Sequence, residues 1–133
     1  MPHDEQAAKS LAEYRIASAK GCLITAKRDL DNDDYKACAN RCYYAIFHAM
    51  RAVLALDRQD YKRHSGVIAA FNRDYIKTGV FDSKFSLTIK SAFEVRSAAD
   101  YDDFYVISKA EVQQQYDRAC EFADAVESYL KQK

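Results

Sequence analysis

The stretch 34–56, DYKACANRCYYAIFHAMRAVLAL, decides the fold. Set at about 100° per residue, Tyr35, Cys38, Cys42, Ala45, Ile46, Ala49, Val53 and Leu56 fall on one arc. Tyr43, Phe47, Met50 and Leu54 widen that arc to roughly half the helix or more. The sector left over holds Asn40, Arg41, Tyr44, His48 and Arg51. An apolar face this wide must be enclosed by neighbours, so the stretch predicts a central helix with one narrow polar strip.

The flanking segments read as further helices. From Glu5 to about Leu30 the apolar residues Leu11, Tyr14, Ala19, Cys22, Ala26 and Leu30 recur at helical spacing, with Gly21 a small cost. The cluster Asp31, Asn32, Asp33, Asp34 is a polar turn that supplies N-cap candidates for the central helix. After it, DRQDYKRHS (57–65) reads as a loop. Ser65 is the expected cap of a third helix carrying Val67, Ile68, Ala70, Phe71 and Tyr75, with Gly79 as its terminator. Asp82 or Ser83 caps a fourth helix to about Ala99, with Phe85, Ile89, Ala92 and Phe93 as its stripe. DYDDFYVIS (100–108) breaks the pattern, and Ser108 with Glu111 forms a capping box for a fifth helix to about Leu130. Its inward residues are expected to be Val112, Tyr116, Cys120, Ala123, Val126 and Leu130. The whole predicts an all-α fold, an antiparallel up-and-down bundle of four to five helices in a single domain over 1–133.

Composition agrees. The chain has 133 residues, three Gly and one Pro, too few of either for a turn-rich β fold. Hydrophobic content of 49% with ten Tyr and seven Phe rules out intrinsic disorder. Twenty basic against twenty acidic residues rule out a globally basic nucleic-acid binder while leaving a local patch open. No apolar run reaches ~18 residues and MPHDEQAAKS lacks signal-peptide character, so a cytoplasmic chain without a membrane span is expected. Cys22, Cys38, Cys42 and Cys120 lack CxxC or zinc-like spacing; they read as buried thiols, with no metal or other cofactor implied.

The zero net charge conceals a split. Residues 36–77 hold eight basic groups and three acidic ones, whereas 98–127 hold eight acidic and two basic. Two readings stand side by side: compensation between neighbouring helices, or a basic strip facing phosphates with an acidic face for a partner. Arg96 continues the stripe of the fourth helix and falls inward or at the core rim, where its guanidinium needs a partner; Asp100, four residues on, supplies one if the helix continues. His48 lies on the polar strip with Tyr44 and Arg41, a packed histidine or an acid/base and phosphate contact. His64 lies in the basic loop before the third helix, an exposed loop residue or an anion contact.

Three segments together carry a resemblance: ANRCYYAIFHAMRAVL (39–54), HSGVIAAFNRDYIKTG (64–79) and RSAADYDDF (96–104). In order and spacing they resemble the HEPN domain superfamily, in particular its small single-domain (UPF-type) helical group, over about 35–125. The resemblance implies a helical bundle that often forms a homodimer. Many members of the superfamily that the chain resembles are RNases or RNase-like toxins, frequently encoded beside a minimal nucleotidyltransferase that acts as antitoxin, so such a partner is expected here. Active HEPN RNases pair an Arg with a His, with four to six residues between them, and work without a metal. Here the Arg position is Arg96, and Tyr101 stands where the histidine would be. Tyrosine, with a reference pKa near ~10, is a poor general base near neutrality. The expectation is therefore nucleotide or RNA phosphate binding by Asn40, Arg41, Tyr44, His48, His64, Arg96, Asp100 and Tyr101. The alternatives are a metal-independent endoribonuclease using Arg96, Tyr101 and His48, and a non-catalytic helical interaction protein.

Overall fold

The computed structural model describes residues 2–133, with side chains from Asp4 onward. Its α-helices are α1 (Pro2–Asp31), α2 (Tyr35–Leu56), α3 (His64–Phe71), α4 (Lys84–Tyr101) and α5 (Lys109–Lys131). A π-helical segment, Asn72–Ile76, continues α3, and no strand occurs among the described residues.

Helix α2 is central and packs against α1, α3, α4 and α5. Between Cys38 and Ala55 every residue is buried except Asn40, Arg41, Tyr44, His48 and Arg51. The polar strip read from the sequence is therefore the strip the fold leaves partly open. Both ends of α2 are fixed by left-handed residues. Asp33 (φ 59°) turns the chain from α1, with the Asp34 N–H donating to Asp29 O at 2.8 Å and the Asp33 N–H to Leu30 O at 3.1 Å. The Asp34 side chain then accepts from Ala37 N, capping α2. At the other end Arg58 (φ 56°) repeats the motif on Leu54 and Ala55. A connection this short sets α1 and α2 antiparallel.

The aromatic core lies where α5 meets α3 and α4. The fully buried Phe122 ring stands 5.6 Å from Phe71 and 5.2 Å from Phe85. Phe71 also meets Phe81 at 5.4 Å. Ser108 caps α5 by accepting from Glu111 N at 3.1 Å, as the capping box predicts.

Several expectations need correction. On α1, Leu11 and Tyr14 face outward (42% and 71% exposed), and the inward face is Ala12, Arg15, Ile16, Ala19, Leu23, Ala26 and Leu30. Small alanines admit a close approach of α1 to α2, so the larger apolar residues are displaced to the rim. Helix α3 begins at His64; Arg63 occupies the cap position without a side-chain bond, and Ser65 lies inside the helix. Gly79 (φ 81°) takes the left-handed turn after the π-helical segment has ended. Phe93 is exposed on α4, and α5 buries Ala119 and Phe122 more fully than Tyr116, Cys120 or Leu130. Helix α4 runs on through Asp100 to Tyr101, two residues beyond the expected end.

Candidate functional site

The α2 strip faces the last turns of α4. Arg96 is anchored there by three kinds of contact. Its Nε lies 2.9 Å from Asp100 Oδ2, an i,i+4 ion pair made by the extended α4. That N–H is not aligned for a hydrogen bond, so the contact is one of charge. Its Nη2 donates to the Tyr44 hydroxyl at 3.4 Å. Its Cζ stands 5.2 Å from the Tyr43 ring centre and 5.7 Å from that of Tyr44, within cation–π range. The side chain is 18% exposed, so the guanidinium is held at the surface of the core with one edge reachable. Arg41 approaches the same Tyr44 ring at 5.4 Å and donates to Asn40 Oδ1 at 2.7 Å. Asn40, Arg41 and Asp100 border an open depression of about 640 Å³ between α1, α2 and the end of α4.

Two histidines complete the cluster. His64 lies tilted by 36° against the Phe47 ring (4.1 Å between centroids) and meets Tyr44 edge-on at 6.0 Å. Its Nδ1 is 2.8 Å from the Tyr43 hydroxyl. Burial pushes the Tyr43 phenol up to about 12, so it keeps its proton. A buried hydroxyl with one acceptor beside it donates to that acceptor, which assigns neutral His64 its proton on Nε2. His64 then offers a hydrogen-bond donor to an anion rather than a base. Burial, followed by the charges of Arg96 and Arg51, holds the His64 pKa below the ordinary histidine value. His48 lies 6.3 Å from Tyr44 between ring centres, and burial with Arg51, Arg15, Arg41 and His64 lowers its pKa likewise.

At the far end of the strip, Arg51 Nη2 donates to Asp60 Oδ1 at 3.0 Å, and Arg15 Nη2 lies 3.7 Å from Asp60 Oδ2. Arg15 also donates to the Arg51 carbonyl at 3.1 Å, tying α1 to α2. Arg15 is 8% exposed. The sequence reading missed it, although its place between Ala12 and Ala19, beside Ile16, put a charge on the buried face of α1. Tyr43 and Phe47 were read only as core; they also orient His64 and Arg96.

The structure thus brings together Asn40, Arg41, Tyr44, His48, His64, Arg96 and Asp100. Tyr101 is left out: it is 80% exposed and makes no hydrogen bond or ring contact with the described residues. Five residues on a continuous helix turn by about 140° relative to Arg96, which carries it to another side of α4. The charge split also resolves. The α5 carboxylates that pair do so with Lys20 of α1 and Lys84 of α4. Among the described residues no ion pair joins the basic 36–77 segment to the acidic 98–127 segment. The described helices include none long and apolar enough to cross a membrane.

Comparison with known proteins places the chain beside several named relatives. A UPF0332 protein of Thermotoga maritima is 32% identical over 92% of this chain and 93% of its own length. A protein of Methanocaldococcus jannaschii named "Putative toxin MJ0142" is 29% identical over 89% of this chain and 80% of its own. A UPF0332 protein of Archaeoglobus fulgidus is 32% identical over 73% of this chain and 77% of its own. The family model described as "HEPN domain" matches residues 12–129, which span the strip of α2, Arg15, Arg96 and all of α3 and α4. The chain belongs to the HEPN domain family.

Proposed function

We propose that this chain binds nucleotide or RNA phosphate on the α2 strip, as a toxin-like protein working with a minimal nucleotidyltransferase. The observation that carries the reading is Arg96: a guanidinium anchored by Asp100, backed by two tyrosine rings and left with an open edge. Arg96 and Arg41 hold phosphate oxygens, His64 donates from Nε2, and Tyr44 offers a face for a base. The separation of basic and acidic regions supports a local anion site on an uncharged chain. Two Methanocaldococcus jannaschii relatives carry the name "Putative toxin", which supports the toxin-like setting. A homodimer is part of the reading, supported by the exposed Tyr101, Phe104 and Val106 beyond the site. The acidic face of α5 is the surface for the nucleotidyltransferase.

The test is Arg96→Ala, read by fluorescence anisotropy of a labelled single-stranded RNA and of ATP. Binding is lost while helicity by circular dichroism is kept. Unchanged affinity at low and moderate salt would sink the reading.

One observation favours a second reading, metal-independent RNA cleavage. The lowered pKa of His48 leaves it unprotonated near neutrality, beside the aromatic ring that contacts Arg96. Among the described residues His48 makes no hydrogen bond that fixes its tautomer, which leaves its ring nitrogen available as base. Cleavage of RNA in the presence of a chelator, abolished by His48→Ala, supports this reading; intact RNA across several substrates refutes it.

A further inference from the structure

The guanidinium groups of Arg15 and Arg51 share one carboxylate, and share it poorly. Asp60 Oδ1 accepts from Arg51 Nη2 and from the Tyr61 N–H, each at 3.0 Å. Oδ2 reaches Arg15 only at 3.7 Å, too long for a hydrogen bond. Arg51 Nε is buried and has no hydrogen-bond partner among the described residues. Arginine recognises an anion best through Nε and Nη2 together, and here half of that fork is idle. Both arginines keep a contact that does not involve Asp60: Arg15 is buried and donates to the Arg51 carbonyl, and Arg51 lies 5.7 Å from the Phe47 ring centre. Asp60, by contrast, sits on the loop after α2, largely exposed. Beside it opens a cavity of about 310 Å³ walled in part by Asp4, Leu11, Arg15, Arg58 and Asp60.

A planar carboxylate has two oxygens, one of them already saturated. A phosphate group has more oxygens, set tetrahedrally, and reaches both guanidinium groups and the idle Nε at once. We propose that Arg15 and Arg51 form a second phosphate site, distinct from the Arg96 cluster, and that Asp60 occupies it as an internal stand-in which the ligand displaces. Withdrawal of Asp60 removes the carboxylate that both guanidinium groups share, beside a cavity that Arg15 and Arg58 line. This site stands independently of the Arg96 reading; only its use by RNA rests on that reading.

The experiment follows the Nε–Hε resonances of Arg15 and Arg51 by NMR while inorganic phosphate is titrated into the native chain and into Asp60→Asn. Phosphate moves both resonances in Asp60→Asn at a concentration at least fivefold lower than in the native chain. Glu121→Gln, which removes the same charge from α5, where Glu121 pairs with Lys84, behaves as the native chain. Arg51→Gln, in either background, abolishes the response of Arg15, so the proposal stays testable should Asp60→Asn fold poorly. Equal responses in native, Asp60→Asn and Glu121→Gln chains, or no response at all, overturn the proposal.

A second arm separates free phosphate from RNA as the source. Anisotropy of labelled hexauridylate is measured across salt concentrations. If the site extends an RNA path along α2, Asp60→Asn binds at least threefold tighter than Glu121→Gln. The slope of log affinity against log salt then steepens by about 0.7, the value of one added phosphate contact to a single strand. Arg96→Ala weakens both variants in that case. If hexauridylate does not discriminate Asp60→Asn from Glu121→Gln while inorganic phosphate does, the site takes a small phosphate and the Arg96 reading is untouched.

Discussion

Two aromatic clusters of this bundle have similar ring spacing and opposite surroundings. Around Phe122, the rings of Phe71, Phe81 and Phe85 close on one another and are all buried. Around Tyr44, the rings of Tyr43, Phe47, His48 and His64 are met by the guanidinium groups of Arg41, Arg51 and Arg96. The first cluster lowers the free energy of folding through dispersion and loss of apolar surface to water. The second uses rings to position cations at a partly open surface, where a hydrogen bond or cation–π contact is worth about 1 kcal/mol. The cluster around Phe122 serves stability and the cluster around Tyr44 serves preorganisation.

The largest effect that separates them is a truncation. Phe122→Ala leaves a cavity among three rings and costs about 3–5 kcal/mol in urea unfolding. Arg96→Ala costs about 1–2 kcal/mol of stability or less, since it removes an ion pair with a part-exposed Asp100 and two ring contacts. Its cost in ligand affinity is at least tenfold, about 1.4 kcal/mol. If Arg96→Ala instead destabilised the chain as much as Phe122→Ala, the second cluster would be core, and the contrast between the two would fail.

A finer cut is Tyr44→Phe. It keeps the ring that Arg96 and Arg41 face and removes the hydroxyl that accepts from Arg96 at 3.4 Å. A net loss of about 0.5–1.5 kcal/mol, seen as roughly two- to tenfold weaker binding, is expected with unfolding nearly unchanged. Binding equal to the native chain would assign the positioning of Arg96 to Asp100 and the rings alone.

The two clusters were unequally legible in the sequence. The α2 strip was fully readable because helical phase on one strongly amphipathic segment decides both what is buried and what is not. Asp100 as partner of Arg96 was readable for the same reason, an i,i+4 spacing. The inward face of α1 was not, because a stripe of alanines carries little hydrophobic signal and Leu11 and Tyr14 pull the phase the wrong way. Arg15 stayed hidden with it. The link from Tyr43 to His64 joins residues 21 apart across a loop, and no periodicity reports on such a contact. Tyr101 was grouped with Arg96 by motif, but the length of α4 set their relative direction.

The smallest effect is a pH dependence that belongs to the second cluster alone, because the ring cluster around Phe122 has nothing to titrate near neutrality. His48 and His64 both have pKa values lowered in the folded chain, by burial first and by arginine charge second. An unfolded histidine takes its proton near pH ~6.5, before either folded one does. On acidification from pH 7.5 the unfolded chain therefore binds protons first, and stability falls from about pH 6.5 downward toward the folded values. Above the unfolded value the histidines make no difference. The urea midpoint at pH 5.5 is thus lower than at 7.5, and the His48→Gln/His64→Gln double variant shows a flatter profile over that interval. Phe122→Ala lowers the midpoint at every pH by a similar amount and leaves the profile's shape alone. A native chain that gained stability on acidification would mean that the folded state holds protonated histidines. His64 would then not be the neutral Nε2 donor that its bond to Tyr43 implies, and the anion would instead be met by imidazolium charge.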